Sequence, residues 1–244
     1  MTFAAPAPVS AQPAAPSTGN DEDAATLRAV DELMSDAVTR ADPIRFDVAR
    51  TEAERDAVFR LRYRVAIEHG WANPADFPDG RERDAYDAEA IHIVGWDGAT
   101  LAATSRLVLP NPNRPLPTEL AFGLIVEPRG RMLNIDRLTV APGYSDRRHR
   151  TMFALLGASW GQTRAHDCHA WVGISTTAMV RLFRLLGFET PALAPPQRFW
   201  NEERVPIFCD GRNGATEALN RRSRLLAGPQ RNGEATGRGE RLKV

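Results

Sequence analysis

The stretch MLNIDRLTV, residues 132–140, decides the fold, and we interpret it as a central β-strand. Its apolar and β-branched residues favour extended structure. A proline-rich connection, PNPNRPLPTE, precedes it, and a helix is predicted after it, from about Arg150 to Ala165. An apolar strand HAWVGIS, a helix TTAMVRLFRLLGF that Gly187 ends, and a last strand at RVPIFC complete this half of the chain.

Strand and helix signals also alternate before residue 132. IRFDVA (44–49) has the period of a half-buried strand, and Thr51 with Glu54 forms a capping box for a helix that Gly70 ends. AIHIVGW and LAATSRLVL, joined by Asp97-Gly98, predict an antiparallel hairpin. The predicted order is β-α-β-β-β-α-β-α-β, which places the chain in the α/β class.

Composition excludes several classes of function. The 244 residues carry 31 basic and 31 acidic side chains, so overall charge favours neither nucleic acid nor a membrane surface. No stretch has the twenty apolar residues of a membrane span, and nothing near the start resembles a signal peptide. Two cysteines, Cys168 and Cys209, are too few for a disulfide framework, so we expect free thiols in the cytoplasm.

The two ends differ in composition from the middle. We predict that residues 1–42 are a disordered Ala/Pro-rich tail that could include a short helix between Asp21 and Val38. Residues 43–213 are predicted to form the folded domain. Residues 214–244 are predicted to be a flexible basic Arg/Gly-rich tail, and a short helix could form within it or just before it.

The loop RERDAYD, residues 81–87, is unusually charged. It sets Glu82, Asp84 and Asp87 close together, with arginines between them. A solvated connection is one explanation for such a loop. Its position among the neighbouring motifs supports a second explanation, that the loop binds a substrate.

The order of elements, with DRLTVAPGY before one helix and VRLFRLLGF ending the next, resembles the GNAT acyltransferase fold. This resemblance implies a mixed, mostly antiparallel sheet whose central strands splay apart, flanked by helices. In that family the gap holds the pantetheine arm of an acyl thioester, and the N-terminus of the helix that follows faces the cofactor phosphates. The resemblance covers roughly residues 43–210.

The motifs RLRYRVAIEHGW, RERDAYD, ATSRLVLP and NIDRLTV are similar to those of acyl-homoserine-lactone synthases and N-acyl amino acid synthases. Carried over residue by residue, the resemblance implies substrate-binding roles for Arg62, Trp71, Glu82, Arg106, Asn134 and Arg137. The aspartates could bind a cationic acceptor. The arginines could pin the loop to the sheet through buried ion pairs or bind a substrate carboxylate.

The family's candidate general base, a glutamate, falls on Asn134, whose amide cannot accept a proton at neutral pH. Asp136 lies two residues along the strand, roughly 6.6 Å away, whereas a base must come within about 3 Å of its proton. A water relay, the pair Asp84 and Asp87, or an amine that arrives neutral are the alternatives. If the two aspartates lie close together, like-charge repulsion should raise the pKa of one of them. The catalytic candidates are therefore Asp84, Asp87 and Asp136.

The phosphate-binding turn also departs from the family. GNAT enzymes that use coenzyme A usually show R/Q-x-x-G-x-G/A, whereas this chain has SDRRHRTMFALLG, without the early glycines. The missing glycines weaken the case for free coenzyme A as the acyl donor and leave an acyl carrier protein as an alternative. The resemblance implies thioester-binding positions at Leu138, Thr139, Val140, Arg147, Arg148, Arg150 and Ser175.

Phe183 stands where many GNAT acetyltransferases have a tyrosine that protonates the leaving thiolate. HDCH (166–169) lacks partner ligands elsewhere, so we expect no metal site. We also expect no tightly bound cofactor. The partners expected are an acyl-thioester co-substrate and a small amine or amino-acid acceptor.

The function predicted is transfer of an acyl chain from a thioester to the amine of a small amino-acid-like acceptor. An ordinary short-chain GNAT N-acetyltransferase and a non-catalytic GNAT-like binding module are the alternatives. The sequence leaves open the acceptor, the acyl length, the donor, lactone formation and the oligomeric state.

Overall fold

A seven-stranded mixed sheet organises the residues that the computed structural model describes, which are 20–127, 130–146 and 149–227. The strands are β1 (Arg45–Val48), β2 (Ile91–Asp97), β3 (Thr100–Val108), β4 (Met132–Val140), β5 (Ala170–Thr176), β6 (Gln197–Phe199) and β7 (Glu202–Asp210). The helices are α1 (Asn20–Thr39), α2 (Glu52–Glu68), α3 (Pro117–Phe122), α4 (Arg150–Ala165), α5 (Thr177–Leu185) and α6 (Thr216–Ala227).

The strand order in the sheet is β1-β2-β3-β4-β5-β7-β6. All neighbouring strands are antiparallel except β4 and β5, which are parallel and adjoin at the centre. The predicted α/β class and the predicted GNAT-like sheet are confirmed.

Local signals in the sequence form as predicted. The Thr51 side chain accepts a hydrogen bond from the Glu54 backbone N–H (3.2 Å), and the Glu54 carboxylate accepts one from the Thr51 N–H (2.8 Å). This reciprocal cap starts α2. Gly98 turns the β2–β3 hairpin with φ at 56°, a left-handed conformation that glycine adopts without a steric penalty.

The core lies on both faces of the sheet. Helices α1 and α4 cover one face, where Val30, Leu155 and Trp160 pack against Leu133 and Ile135. Helix α2 covers the other face near β2 and β3, and the segment around α3 covers it near β4 and β5. Since Leu133 and Ile135 face α4, the alternation of a strand turns Asn134 and Asp136 toward the side of α2 and α3.

Several parts of the chain differ from what the sequence suggested. Helix α3 begins inside the stretch interpreted as a plain connection, and β6 and the β6–β7 turn were not predicted. Helix α1 packs against α4 and buries Val30, and α6 covers residues 216–227, so the packed body extends beyond 43–213. The predicted tails at 1–19 and 228–244 lie outside the described residues.

Candidate functional site

The centre of the sheet opens between β4 and β5. Their pairing covers only Met132–Asn134 against Ala170–Val172, although β4 continues to Val140 and β5 to Thr176. Beyond Asn134 the two strands no longer form a ladder. The result is a gap whose two edges are backbone segments, as the resemblance implied.

A β-bulge in β4 lies beside this gap. Arg106 is paired with Asp136 and Thr104 with Thr139, so two residues of β4 stand opposite one of β3. One of the two is Arg137, which has φ at 52°. A non-glycine residue in this conformation costs energy and is concentrated at functional sites. The bulge redirects the Arg137 side chain toward the acidic loop.

Arg106 joins the sheet to the acidic loop. Its guanidinium is fully buried and donates two hydrogen bonds to Asp136, each 2.8 Å long. It also donates to Asp84 at 2.6 Å and lies 3.1 Å from Asp87. Every one of these contacts is to a carboxylate of the protein itself. Of the two explanations for this arginine, the geometry supports the buried ion pair.

Arg62 makes a second set of buried ion pairs from α2. It donates to Glu82 and, at 2.7 Å, to Asp87. All three residues are at most 6% exposed. Arg62 therefore fixes both ends of the loop against α2, and it is out of reach of a ligand in this conformation.

Arg137 and Asp84 form the accessible edge of the network. Arg137 donates to Glu82 at 3.1 Å and to Asp84 at 3.2 Å. The Asp84 side chain is 36% exposed and that of Arg137 is 16% exposed, whereas the side chains of Glu82, Asp87 and Asp136 are 2–5% exposed. An incoming molecule would therefore meet Asp84 and Arg137 first.

The expected rise in the pKa of one aspartate is wrong. Burial raises the pKa of Asp87, but the charge and hydrogen bond of Arg62 and the charge of Arg106 outweigh burial and hold the pKa at about 2. For Asp84, burial also raises the pKa, and Arg106 and Arg137 lower it to below its usual range. Three arginines surround these carboxylates, so attraction exceeds the repulsion between them. Both remain ionised and weakly basic at neutral pH.

Asn134 is the last β4 residue that pairs with β5, and its side chain is fully buried. Its carbonyl oxygen accepts hydrogen bonds from the backbone N–H of Thr118 (3.0 Å) and from the Thr118 hydroxyl (2.6 Å). The amide nitrogen of Asn134 has no hydrogen-bond partner among the described residues. Asn134 thus anchors the first turn of α3 to the sheet, in the place where the family carries a base.

Two arginine–tryptophan pairs lie at the open end of the gap. The Arg204 guanidinium lies 4.7 Å from the centre of the Trp71 ring, and that of Arg137 lies 4.4 Å from the Trp200 ring. Sequence reasoning found Trp71 and Arg137 but missed Arg204 and Trp200. The only signal was QRFWNEER, in which a tryptophan occupies a turn position that normally favours glycine or asparagine.

The residues predicted to hold the thioester fall into three groups: those at the edges of the gap, Arg150 at the start of α4, and two that lie outside the described residues. Leu138, Thr139 and Val140 form one edge of the gap, and Ser175 lies on the other edge near the end of β5. Arg150 begins α4, but its backbone N–H and its side chain both donate to the Asp146 carboxylate, at 3.1 and 2.9 Å. Arg147 and Arg148 lie outside the described residues.

An apolar cavity lies behind the gap. Ile135 and Trp171, at the point where β4 and β5 separate, line it together with Phe153 and Phe183. Phe183 is buried and packs on Trp171 with ring centroids 6.0 Å apart. It therefore contributes to this apolar wall and offers no hydroxyl to a leaving thiolate.

Neither a metal site nor a membrane span is found in the part of the chain that the structure describes. No group of three or more His, Cys, Asp and Glu side chains there could hold a metal ion. None of the helices described is long and apolar enough to cross a membrane.

Comparison with known families gives one match, to part of the chain. Residues 61–157 match the model of the acetyltransferase (GNAT) domain family. This segment runs from α2 through the acidic loop and β4 into the first half of α4, so it contains the bulge and the whole ion-pair network. The match covers less than half of the chain and, together with the splayed sheet, supports a GNAT-like acyltransferase fold.

Comparison with solved structures shows that the fold is similar to that of the autoinducer synthases. The acyl-homoserine-lactone (AHL) synthase LasI is 16% identical, with a TM-score of 0.59, over 72% of this chain and 94% of LasI. TofI, solved with an inhibitor and MTA, is 24% identical, with a TM-score of 0.58, over 72% of this chain and 96% of TofI. FeeM, an N-acyl amino acid synthase from uncultured soil microbes, is 13% identical, with a TM-score of 0.53, over 74% of this chain and 98% of FeeM. A comparison with curated proteins found no match.

Proposed function

We propose that this protein is an N-acyltransferase that moves an acyl chain from an acyl thioester to the amine of a small amino-acid-like acceptor. One observation carries the proposal: the gap between β4 and β5 has an apolar cavity behind it and the acidic loop beside it. A thioester in the gap would direct its acyl chain toward the cavity, whose volume of about 30 Å³ would have to widen to admit the chain, and would expose its carbonyl carbon on the side of the loop. The arrangement thus separates an apolar substrate from a charged one.

The edges of the gap suit a pantetheine arm. Past Asn134, the backbone groups of β4 that face β5 have no ladder partner on that strand. Backbone N–H and C=O groups without a strand partner can bind the amides of pantetheine in the manner of an added strand. Leu138, Thr139, Val140 and Ser175 are the positions that would do so.

Asp146 favours an acyl carrier protein as the donor. Its carboxylate bonds to the first backbone N–H of α4, where a phosphate would gain most from the helix dipole. Coenzyme A would bring a pyrophosphate to a helix N-terminus whose first N–H already bonds to the Asp146 carboxylate, which also pairs with Arg150. A carrier protein brings one phosphate and an acidic surface, so much of its binding energy comes from contacts elsewhere.

Asp84 is the residue we assign to the acceptor amine. It is the most exposed carboxylate of the network, and Arg106 and Arg137 hold it in one orientation. The lowered pKa values of Asp84 and Asp87 make both poor proton acceptors, and both oxygens of the Asp136 carboxylate already accept hydrogen bonds from Arg106. In this proposal Asp84 binds and orients the amine, and the amine loses its proton to water.

The phenyl side chain of Phe183 argues against an ordinary short-chain acetyltransferase, because no hydroxyl at that position can protonate the thiolate. A non-catalytic module that binds an acyl carrier protein is the alternative that the direct experiment must separate.

The experiment is acyl transfer with purified protein. Acyl carrier protein and coenzyme A thioesters of several chain lengths are incubated with a panel of amines and amino acids, and thiol release and N-acyl products are measured. We expect an amide product, formed faster from the carrier-protein donor, with a rate that falls as salt screens docking. Asp84→Asn should lower the rate at least tenfold, whereas Asp42→Asn, at an exposed position far along the chain, serves as the matched control. Donor binding without any amide product would contradict the proposal and support the binding module.

A further inference from the structure

His92 lies beside the acidic loop, on the same face of the sheet as Arg106. The two residues are directly opposite each other on β2 and β3, so their side chains project from the same side. The imidazole of His92 is 1% exposed, and the ring of Phe59 from α2 packs on it edge to face, with centroids 5.5 Å apart. His92 is thus a fully buried titratable group next to the ion-pair network.

One of the two ring nitrogens of His92 holds the end of the acidic loop. Nε2 lies 3.2 Å from the backbone carbonyl oxygen of Asp87, the last residue of the loop. A carbonyl oxygen only accepts, so Nε2 carries the proton and donates this hydrogen bond. Nδ1 has no hydrogen-bond partner among the described residues. The neutral ring therefore makes one hydrogen bond to the loop and keeps a free lone pair on its second nitrogen.

The surroundings of His92 oppose a second proton on the ring. The Asp87 carboxylate, 3.7 Å from Nε2, would attract an imidazolium, but Arg62 and Arg106 would repel it and already bind that carboxylate. On the side of β1 the contact is an uncharged one, a hydrogen bond from the Ala49 N–H to the His92 carbonyl oxygen. Burial is the largest effect and, with the two arginines, holds the pKa of His92 below its ordinary value of 6.5. The ring is therefore neutral at pH 7 while the loop is closed.

We propose that His92 is a positioning residue of the acidic loop: its neutral ring holds Asp87 in place, and a proton on Nδ1 releases the loop. A charged ring needs an acceptor for its second N–H, and no described residue provides one while the loop is closed. Asp84 and Asp87 are tied together, because the Asp84 N–H donates to the Asp87 carboxylate at 2.7 Å. Release of Asp87 therefore also frees Asp84, and the effect of this on the acceptor amine is the one consequence that rests on the proposed function.

Acid should therefore open the loop. A histidine whose folded-state pKa is lowered stabilises the closed state above its unfolded value of about 6.5, and that stability falls as pH drops below this value. The two aspartates stay charged in this range, because the pKa of Asp87 is about 2 and that of Asp84 is below its usual range. Between pH 7.5 and 5.5 the change in loop stability should come from His92.

Hydrogen–deuterium exchange tests the release without any donor or acceptor. The wild type is compared with His92→Gln, whose amide can donate to the Asp87 carbonyl but gains no proton in this range. One proton can shift such an equilibrium by up to about tenfold per pH unit. The exchange rate of residues 82–90 in the wild type, divided by the rate in the variant at the same pH, should rise about threefold or more from pH 7.5 to pH 5.5. His166→Gln, at an exposed position after α4, is the control and should behave like the wild type.

His92→Phe supplies a second comparison. Phenylalanine neither bonds to Asp87 nor takes up a proton, so this loop should exchange faster than that of His92→Gln at both pH values, by the same factor. A ratio of wild-type to His92→Gln exchange that stays constant between pH 7.5 and 5.5 would overturn the proposal. NMR titration of the His92 ring in the wild type needs no variant, and a pKa at or above 6.5 would overturn it as well. Thermal unfolding at pH 7.5 shows whether each variant is folded.

Steady-state kinetics connects the loop to acyl transfer. The acceptor KM of the wild type relative to His92→Gln should rise about threefold or more from pH 7.5 to pH 5.5, with the donor KM ratio unchanged. Protonation of the amine affects both proteins equally and cancels in the ratio. Loop release without any amide product would contradict N-acyl transfer and support the role of His92. Amide formation with a constant exchange ratio would overturn the role of His92 and leave N-acyl transfer intact.

Discussion

At the scale of single residues, the acidic loop is held by arginines on three different elements. Arg62 comes from α2, Arg106 from β3 and Arg137 from β4, and each bonds to two or more carboxylates of the network. Breaking a buried ion pair by removing one partner typically costs about 3–5 kcal/mol. The network therefore serves both the stability of the loop and the orientation of Asp84.

Asp87 should make stability depend on pH in the acid range. Its folded-state pKa of about 2 lies below the ordinary value of 3.8. A carboxyl with a lowered folded-state pKa stabilises the fold above its unfolded pKa and loses that contribution as pH falls through the folded value. For Asp87 the window is about pH 4 to 2, and the contribution is about 2 kcal/mol.

Urea unfolding of wild type and Asp87→Asn across this window checks the prediction. The variant should be less stable at pH 7, because Arg62 loses an ion pair. The difference in unfolding free energy between the two proteins should shrink by about 2 kcal/mol between pH 4 and pH 2. A difference that stays constant with pH would show that the Asp87 carboxyl is not held by the arginines.

At the scale of elements, the bulge in β4 is the feature that joins backbone geometry to the site. With φ at 52°, Arg137 leaves the regular ladder and turns its guanidinium to Glu82 and Asp84. An unstrained strand would direct this side chain by simple alternation. The strain is offset by the ion pairs and the Trp200 contact that the bulge permits.

Substituting Arg137 by glycine and by alanine should reveal the strain. Both variants lose the ion pairs, but glycine adopts a left-handed conformation freely, so Arg137→Gly should be more stable than Arg137→Ala by about 1 kcal/mol. Thr139, two residues along β4 without positive φ, is the control position. There the order should reverse, with glycine less stable than alanine. Chemical unfolding measures all four variants, and the same order at both positions would refute the strain.

At the scale of the whole molecule, α1 contributes to the hydrophobic core, although it directly follows the Ala/Pro-rich segment at residues 1–19. A side chain at Gly157 of α4 would bring its Cβ within 2.5 Å of the Met34 carbonyl oxygen of α1. The two helices therefore pack at a distance that only glycine permits. Val30 is almost fully buried in this contact.

Substitutions at two glycines of α4, Gly157 and Gly161, distinguish the effect of close packing against α1 from the effect of helix propensity. Gly157→Ala should destabilise the protein by about 1–3 kcal/mol, because α1 must move away from α4. Gly161→Ala, where an added Cβ meets nothing within 4 Å, should be neutral or stabilise by up to about 1 kcal/mol. Thermal unfolding of the two variants gives the comparison. Equal effects would mean that α1 does not pack closely on α4 in solution.

Much of the fold could be predicted from local pattern. The capping box at Thr51 and Glu54, the Asp97-Gly98 turn and the alternation of strand and helix all depend on residues a few positions apart. Helix α3 and the β6–β7 turn could not be predicted this way. Thr118 is held by Asn134, sixteen residues away. Trp200 occupies a turn position in which it contacts Arg137, and its neighbour Asn201 bonds to Gly70 after α2.

The sequence by itself determined the order of the main strands and helices, apart from α3 and β6, and the acidic loop with its place before the central strand, because short-range spacing controls each of them. The tertiary structure decided what the loop does. Arg62 lies 25 positions from Asp87, and Arg137 lies 55 from Glu82, yet these contacts set the charge and exposure of every carboxylate in the network. Electrostatic environment is a sum over neighbours in space. For that reason only the folded chain shows Asp84 at the accessible edge and Arg204 beside Arg137.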